Sequence, residues 1–181
     1  MVWHPALLTK LSSYGIQGHL HSWLTDFLPC HSQLVALNGV LSSPLPVQAG
    51  VPQGSVLDPV LFLVFINDLS DSLDNPLYLF ADDSTLCHTI RHPSDRQATA
   101  SSLSADLDKI TNWSNMWNMS FNPYKSHTLT MSLRKDCLEN THIYFLTNPL
   151  EVLSFKLLGL TICHDLSWES HISKLASKTS C

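Results

Sequence analysis

The stretch of sequence that decides the fold is Leu79-Phe80-Ala81-Asp82-Asp83-Ser84-Thr85-Leu86. Two adjacent carboxylates lie between short apolar runs, which predicts a β-hairpin with strands over residues 77–81 and 84–90 and with Asp82 and Asp83 at its exposed tip. Aspartate is a common turn residue, so each one alone has a purely structural explanation. As neighbours they repel each other unless a cation binds between them, and carboxylate oxygens suit Mg²⁺. The stretch therefore predicts either an ordinary turn or a metal-binding hairpin.

The segments around this hairpin alternate between helical and extended patterns. Helices are predicted at the N-terminus, over residues 20–28 and 55–69, from Ser94 and from about Ser167. Strands are predicted over residues 32–40, 45–49, 128–133, 143–146 and 155–162, with 45–49 as the hairpin partner of 32–40. The apolar stripe of the helix after Ser94 (Leu103, Leu107, Ile110, Trp113 and Trp117) is interpreted as core packing. This order of elements predicts an α+β fold with antiparallel hairpins.

Charge is unevenly distributed along the 181 residues, whose formal net charge is -5. Residues 1–90 contain one basic and seven acidic side chains, a net of -6, whereas residues 91–181 contain nine basic and eight acidic ones, a net of +1. Proteins that bind duplexes through phosphate neutralisation normally carry a strong basic excess. A role in nucleic-acid binding would therefore depend on particular residues and not on bulk charge.

Composition also bears on the compartment. The longest apolar run, residues 60–66, is far too short to cross a bilayer, and no signal peptide is visible at the N-terminus. The five cysteines are scattered and form no CxxC pair, and the histidines lack a convincing metal-ligand spacing. We therefore expect free thiols, no membrane association and an intracellular location, cytoplasmic or nuclear.

Several motifs in order resemble the reverse transcriptase of non-LTR (LINE-type) retrotransposons. Gly50-Val51-Pro52-Gln53-Gly54-Ser55 is similar to the beginning of motif B of that family, and Phe80-Ala81-Asp82-Asp83 is similar to its motif C. Further along, Trp117-Asn118-Met119-Ser120-Phe121-Asn122 with Lys125 resembles motif D, and the segment around Leu158-Gly159 resembles motif E. Because the resemblance covers nearly the whole chain, it implies the palm of a reverse transcriptase.

The resemblance implies a role for each matched residue. Asp82 and Asp83 correspond to catalytic carboxylates that bind Mg²⁺, or alternatively Mn²⁺, and Lys125 corresponds to a lysine proposed to protonate the pyrophosphate leaving group. Residues implied to contact the template and the incoming nucleotide are Gly50, Pro52, Gln53, Gly54, Phe80 and Ala81. Leu158 and Gly159 correspond to the primer grip. The implied partners are an RNA template, a DNA primer and deoxynucleotides.

The resemblance also implies what this sequence does not contain. Its first residues resemble the segment that follows motif A, so we expect the motif A aspartate and the fingers to belong to a preceding part of a longer polyprotein, and the palm to be incomplete at its N-terminus. Two positions differ from the family pattern. Asp58 stands where glycine is usual, and Cys30-His31 where an arginine is usual. We therefore expect this chain alone to be inactive.

Three hypotheses remain open at this point. In the first, the chain is a fragment of an RNA-directed DNA polymerase that performs metal-dependent nucleotidyl transfer. In the second, it is a catalytically inactive retrotransposon remnant that acts at most as a nucleic-acid or protein interaction module. In the third, the sequence is an incomplete gene model with no independent function. In each, residues 1–150 are expected to be a partial palm with motifs B, C and D, and residues 151–181 the motif E region and the start of a thumb.

Overall fold

Short helices alternate with two-stranded antiparallel sheets along the chain, which confirms the predicted α+β class. The computed structural model describes residues 1–51, 54–133, 143–145, 148–150 and 152–179. The chain divides into two compact units. Unit 1 comprises Met1–Cys87 and Lys109–Phe121, and unit 2 comprises His88–Asp108 and Asn122–Cys181. The predicted boundary after residue 150 stays a prediction.

Three helices of unit 1 follow the sequence patterns that predicted them. They are α1 (His4–Ser13), α2 (Gly18–Phe27) and α3 (Asp58–Ile66), which continues into a single 3₁₀ turn, Asn67–Ser70. α1 ends where Tyr14 donates its backbone N–H to the carbonyl of Lys10 at 3.0 Å and Gly15 takes a φ of 86°. α3 begins three residues later than predicted, because the Ser55 hydroxyl accepts the N–H of Asp58 at 3.1 Å and so precedes the helix.

Four two-residue strands lie between α2 and α3: β1 (Ser32–Gln33), β2 (Ala36–Leu37), β3 (Val40–Leu41) and β4 (Leu45–Pro46). The predicted pairing of this region is only partly correct. β1 pairs with β4 as expected, but β2 pairs with β3. The reason is the Asn38-Gly39 turn, in which both residues have positive φ (50° and 79°) and the chain reverses at once.

The hairpin that carries Asp82 and Asp83 consists of β5 (Leu77–Phe80) and β6 (Asp83–Leu86).

The core of unit 1 is formed by apolar side chains of its helices and of the second half of the long helix α4 (Arg96–Met116). Its buried members include Leu7, Leu11, Leu24, Leu28, Leu61, Phe65, Ile66, Leu69, Ile110 and Trp113. Burial of Ile110 and Trp113 agrees with the interpretation of their stripe as core packing.

Unit 2 begins with a 3₁₀ turn, Pro93–Asp95, in which the N–H of His92 donates to the Asp95 carboxylate at 3.3 Å. The predicted start of the next helix at Ser94 was therefore slightly early, since α4 (Arg96–Met116) follows that turn and runs on into unit 1. The remaining elements are a 3₁₀ turn (Pro123–Lys125), β7 (Tyr144–Phe145), β8 (Asn148–Pro149), β9 (Ser154–Leu157), β10 (Leu160–Cys163) and α5 (Glu169–Thr179).

Two strand predictions in unit 2 need correction. Residues 155–162 are not one strand but the hairpin β9–β10, because Leu158 and Gly159 both have positive φ and form its turn. Residues 128–133 form no named strand, although the backbone of Thr128 bonds to Leu150 and Val152. Within the described ranges, no helix has both the length and the apolar character needed to cross a membrane.

Candidate active site

The two aspartates lie at the tip of the β5–β6 hairpin, as predicted. Phe80 pairs with Asp83, so the two-residue turn is Ala81-Asp82 and Asp83 is the first residue of β6. The turn thus begins one residue earlier than predicted. Both carboxylates are exposed. The hairpin can therefore offer two oxygen-rich side chains to a ligand approaching from solvent.

The backbone at the tip is strained at one position. Ala81 has a φ of 50°, a left-handed conformation that a side chain with a Cβ adopts at a cost. Its neighbour Phe80 lies at the end of β5 and shares a face of the hairpin with Tyr78 and Asp83, because cross-strand partners and alternate residues point the same way. Both aromatic rings are about two-thirds exposed, at 64 %. The tip therefore combines strain, acidity and exposed aromatic surface.

The chemistry of the tip fits part of a divalent-cation site. Adjacent carboxylates supply the hard oxygen ligands that Mg²⁺ and Mn²⁺ prefer. In the part of the chain that the structure describes, no group of three or more His, Cys, Asp or Glu side chains is arranged to bind a metal ion. Asp82 and Asp83 are therefore candidates for two ligands of such a site, and their role as metal ligands stays a prediction.

The loop formed by residues 50–54 is fixed where it begins. The N–H of Gly50 donates to the carbonyl of Val2 at 2.7 Å, and Nε2 of His4 lies 2.7 Å from the carbonyl oxygen of Gly50. Gly54 is exposed, with a φ of 90°. Pro52 and Gln53 lie outside the described residues, so their implied contacts with the template and the incoming nucleotide stay predictions.

Asp58, one of the two departures from the family pattern, has a local structural explanation. It is the first residue of α3, and its side chain lies in the first helical turn beside Pro59. A negative charge is stabilising at a helix N-terminus because the unpaired N–H groups there carry partial positive charge. The aspartate is therefore compatible with a well-formed α3.

The other predicted site residues lie in unit 2. Lys125 is the last residue of the 3₁₀ turn Pro123–Lys125 and is exposed; the N–H of Tyr124 donates to the side-chain oxygen of Asn122 in the same turn, at 3.0 Å. Leu158 and Gly159 form the β9–β10 turn with φ values of 46° and 92°, and Leu158 is 54 % exposed. The roles of all three residues stay predictions.

A buried lysine is a feature that the sequence patterns missed. Lys10 is 2 % exposed; its ammonium forms an ion pair with Asp68 and donates to the carbonyl of Phe65 at 2.7 Å. The ammonium also lies 4.8, 4.5 and 4.2 Å from the ring centres of Phe65, Trp113 and Trp117. We call these five residues the Lys10 cluster.

The Lys10 cluster joins three segments of unit 1, namely α1, the end of α3 with its 3₁₀ turn, and the end of α4. The indole N–H of Trp113 donates to the Asp68 carboxylate at 3.0 Å. Burial lowers the pKa of Lys10 from its usual 10.5, against the raising effects of the hydrogen bond to Asp68 and of the charges of Asp68 and Asp71. The partners lie far from Lys10 in sequence, so no local pattern could have revealed them.

Comparison with known proteins identifies the family of this chain. A family model described as "Reverse transcriptase (RNA-dependent DNA polymerase)" matches residues 1–162. The chain belongs to the reverse transcriptase family. The resemblance of its motifs to that family is thereby confirmed, and the α+β elements described above are those of a palm-like reverse transcriptase domain.

Curated relatives of this reverse transcriptase chain come from mobile elements. The chain is 30% identical over 185 residues to "RNA-directed DNA polymerase from mobile element jockey" of Drosophila melanogaster, covering 96% of this chain and 19% of that protein. It is 26% identical over 183 residues to "Probable RNA-directed DNA polymerase from transposon X-element" of the same species, covering 98% of this chain and 20% of the relative. The chain thus spans about a fifth of the length of these relatives.

Proposed function

We propose that this chain is the part of an RNA-directed DNA polymerase palm that binds catalytic metal ions through Asp82 and Asp83. The observation that carries the proposal is the β5–β6 hairpin, whose two-residue turn leaves both carboxylates exposed in a chain that belongs to the reverse transcriptase family. Divalent cations, when bound, activate the attacking 3′-hydroxyl and stabilise the leaving oxygen. The substrates would be an RNA template, a DNA primer and deoxynucleotides.

Each remaining site residue has a separate task under this proposal. Gly50, Pro52, Gln53 and Gly54 would contact the template base and the incoming nucleotide, aided by Phe80 and Ala81. The ammonium of Lys125 would donate a proton to the pyrophosphate leaving group, for which its exposure is a supporting observation. Leu158 and Gly159 would contact the primer near its 3′ end. Residues 1–150 would then form the partial palm, and residues 151–181 the motif E region and the start of the thumb.

Direct metal binding tests the proposal. We expect Mn²⁺ added to the isotope-labelled chain to broaden the backbone amide signals of residues 81–84 before those of other segments, because a paramagnetic ion relaxes nuclei close to it. Asp82→Asn and Asp83→Asn should each reduce this broadening strongly. The matched control is Asp26→Asn, which removes one exposed aspartate of α2 and should leave the broadening unchanged.

Either of two results would reject the proposal that Asp82 and Asp83 bind metal ions. If Mn²⁺ broadens signals near all exposed acidic residues alike, or if Asp82→Asn has no more effect than Asp26→Asn, the hairpin is an ordinary turn. The chain would then be better described as an inactive remnant of a reverse transcriptase, with an interaction role at most.

A further inference from the structure

The N-terminal residues bond to both backbone groups of Gly50. His4 is 6 % exposed and places Nε2 2.7 Å from the Gly50 carbonyl oxygen, while the carbonyl of Val2 accepts the Gly50 N–H at 2.7 Å. Between these contacts, Trp3 and Ala49 form an isolated antiparallel bridge. The position where the 50–54 loop begins is thus determined by the first residues of the chain.

The contact between His4 and Gly50 requires a hydrogen-bond donor at Nε2 of the histidine. A carbonyl oxygen only accepts hydrogen bonds, so Nε2 of His4 must carry the proton. That proton is present both in the Nε2–H tautomer and in the imidazolium ion, so the bond does not depend on the charge of the ring. A phenylalanine ring would fill a similar space without a donor, and a glutamine would supply an N–H at similar reach.

The helix that His4 begins also contacts the segment that follows the loop. Lys10, on the same helix α1, donates to the carbonyl of Phe65 at 2.7 Å and pairs with Asp68. α3 begins at Asp58, four residues after Gly54. α1 thus bonds to the backbone at Gly50, where the loop begins, and at Phe65, near the end of that helix.

Glycine stands at both ends of the 50–54 loop, at Gly50 and Gly54. An added Cβ at Gly50 or at Gly54 would meet no described atom within 4 Å, so neighbouring side chains do not explain why glycine stands there. Both residues have left-handed φ, 96° and 90°, which glycine adopts most easily. The backbone conformation, and not close packing among the described atoms, is therefore the reason for glycine at both positions.

We propose that His4 is a positioning residue for the 50–54 loop: its Nε2–H bond holds the Gly50 end of the loop, on which the binding of a template–primer to the loop would depend. This inference rests on the proposed function of the loop. His4 itself would not touch the substrate. Its effect would be transmitted through the Gly50 carbonyl.

The six glycines of the chain allow a direct test. Labelling only glycine with ¹⁵N gives six amide signals, of which Gly50 and Gly54 report on the loop, Gly39 on the β2–β3 turn and Gly159 on the β9–β10 turn. His4→Phe should shift the signals of Gly50 and Gly54 and leave those of Gly39 and Gly159 in place. His4→Gln, which restores a donor, should keep Gly54 close to its original position.

Binding of a labelled RNA template–DNA primer hybrid supplies the functional readout. We expect His4→Phe to weaken binding by at most roughly 10-fold, because the lost hydrogen bond is internal to the chain and its free energy is the upper limit of its effect on binding. His4→Gln should retain most of the affinity. Thermal melting and the Mn²⁺ broadening at residues 81–84 are recorded for both variants. A positioning role predicts that neither changes enough to account for the weaker binding.

The possible outcomes separate this inference from the proposed function. If Gly54 does not shift in His4→Phe and the hybrid binds equally well, or if all six signals shift and the melting temperature falls in parallel, His4 is not a positioning residue. If Gly54 shifts in His4→Phe but does not respond to the hybrid in the unmodified chain, the proposed function of the loop is wrong, although the contact between His4 and the loop stands.

Discussion

At the scale of single residues, Ala81 is the most informative position because its left-handed backbone is unfavourable for alanine. Ala81→Gly removes a steric cost of about 1–2 kcal/mol but adds unfolded-state freedom worth about 0.4–1 kcal/mol. We therefore expect the free energy of unfolding to rise by about 0.5–1 kcal/mol in urea titrations. The matched control is Ala105→Gly in the exposed interior of α4, which should lose about 1 kcal/mol. Equal losses in both variants would contradict the strain at Ala81.

The same residue explains a limit of prediction from sequence. The sequence placed the turn at Asp82-Asp83, since aspartate tolerates turn conformations better than alanine does. The structure instead pairs Phe80 with Asp83 and leaves Ala81 in the turn. Local propensity located the hairpin and its exposed carboxylates. The strand register depends on the pairing of whole strands, and in the structure it differs by one residue from the register that the sequence predicted.

At the scale of elements, the Lys10 cluster should contribute strongly to stability. Lys10→Met leaves the Asp68 carboxylate partly buried without its counter-charge, and we expect a loss of about 3–5 kcal/mol in the free energy of unfolding. Adding Asp68→Asn should restore part of this loss, because asparagine removes the charge but still accepts the indole N–H of Trp113. Urea unfolding of the single and double variants measures both effects.

An exposed ion pair in the same unit provides the control for that experiment. Asp74 pairs with Lys109 at 2.6 Å and is largely exposed. Asp74→Asn should cost about 1 kcal/mol or less, since solvent screens exposed pairs. If Lys10→Met proves as mild as Asp74→Asn, or if Asp68→Asn worsens the Lys10→Met variant, the ion pair does not carry the stability assigned to it.

The two tight turns of similar geometry offer another comparison. Asn38-Gly39 and Leu158-Gly159 both have two positive φ values, but only the first has the asparagine that such a turn favours. Leu158→Asn should therefore raise the free energy of unfolding by about 1 kcal/mol. If Leu158 contacts the primer, the same change should weaken binding of the template–primer hybrid while it stabilises the chain.

A rise in the free energy of unfolding together with weaker hybrid binding in Leu158→Asn would indicate that Leu158 contacts the primer. A variant that is more stable and binds the hybrid as before would show that the exposed leucine has no part in primer contact. The reciprocal change Asn38→Leu should destabilise the β2–β3 turn without altering hybrid binding, and thus controls for strain alone.

Tertiary contacts account for what sequence patterns missed among the elements. Helices α1, α2 and α4 follow from apolar periodicity and local end signals, which lie within a few residues of each other. The partners of His4 and Lys10, in contrast, are Gly50, Phe65 and Asp68, and nothing local marks them. A histidine at the start of a helix and a lysine in its last turn look like ordinary surface residues until the fold brings their partners to them.

At the scale of the whole molecule, we expect the 181-residue polypeptide by itself not to extend a primer. Two-metal transfer needs several ligands around the transferring phosphate, and the described residues group only Asp82 and Asp83 at the hairpin tip. Incubation with an RNA template, a DNA primer, Mg²⁺ and deoxynucleotides measures this directly. Extension that disappears in Asp82→Asn would refute the prediction and would mean that another carboxylate completes the site.

The family and the α+β class could be predicted because the motifs are contiguous in sequence. The division into two units could not, since the chain passes from unit 1 to unit 2 at residue 88, back at 109 and out again at 122. Such a division depends on which segments pack together. Composition changes along the sequence do not record it.

The Lys10 cluster also has a consequence for the order of events during synthesis. Lys10 is added to the chain about 100 residues before Trp113 and Trp117, which complete the aromatic surroundings of its ammonium. At about 5–20 residues per second, the delay is roughly 5–20 s. During that interval the nascent α1 carries a hydrated charge on the face that will later be buried. α1 is therefore made well before the residues that complete its final environment.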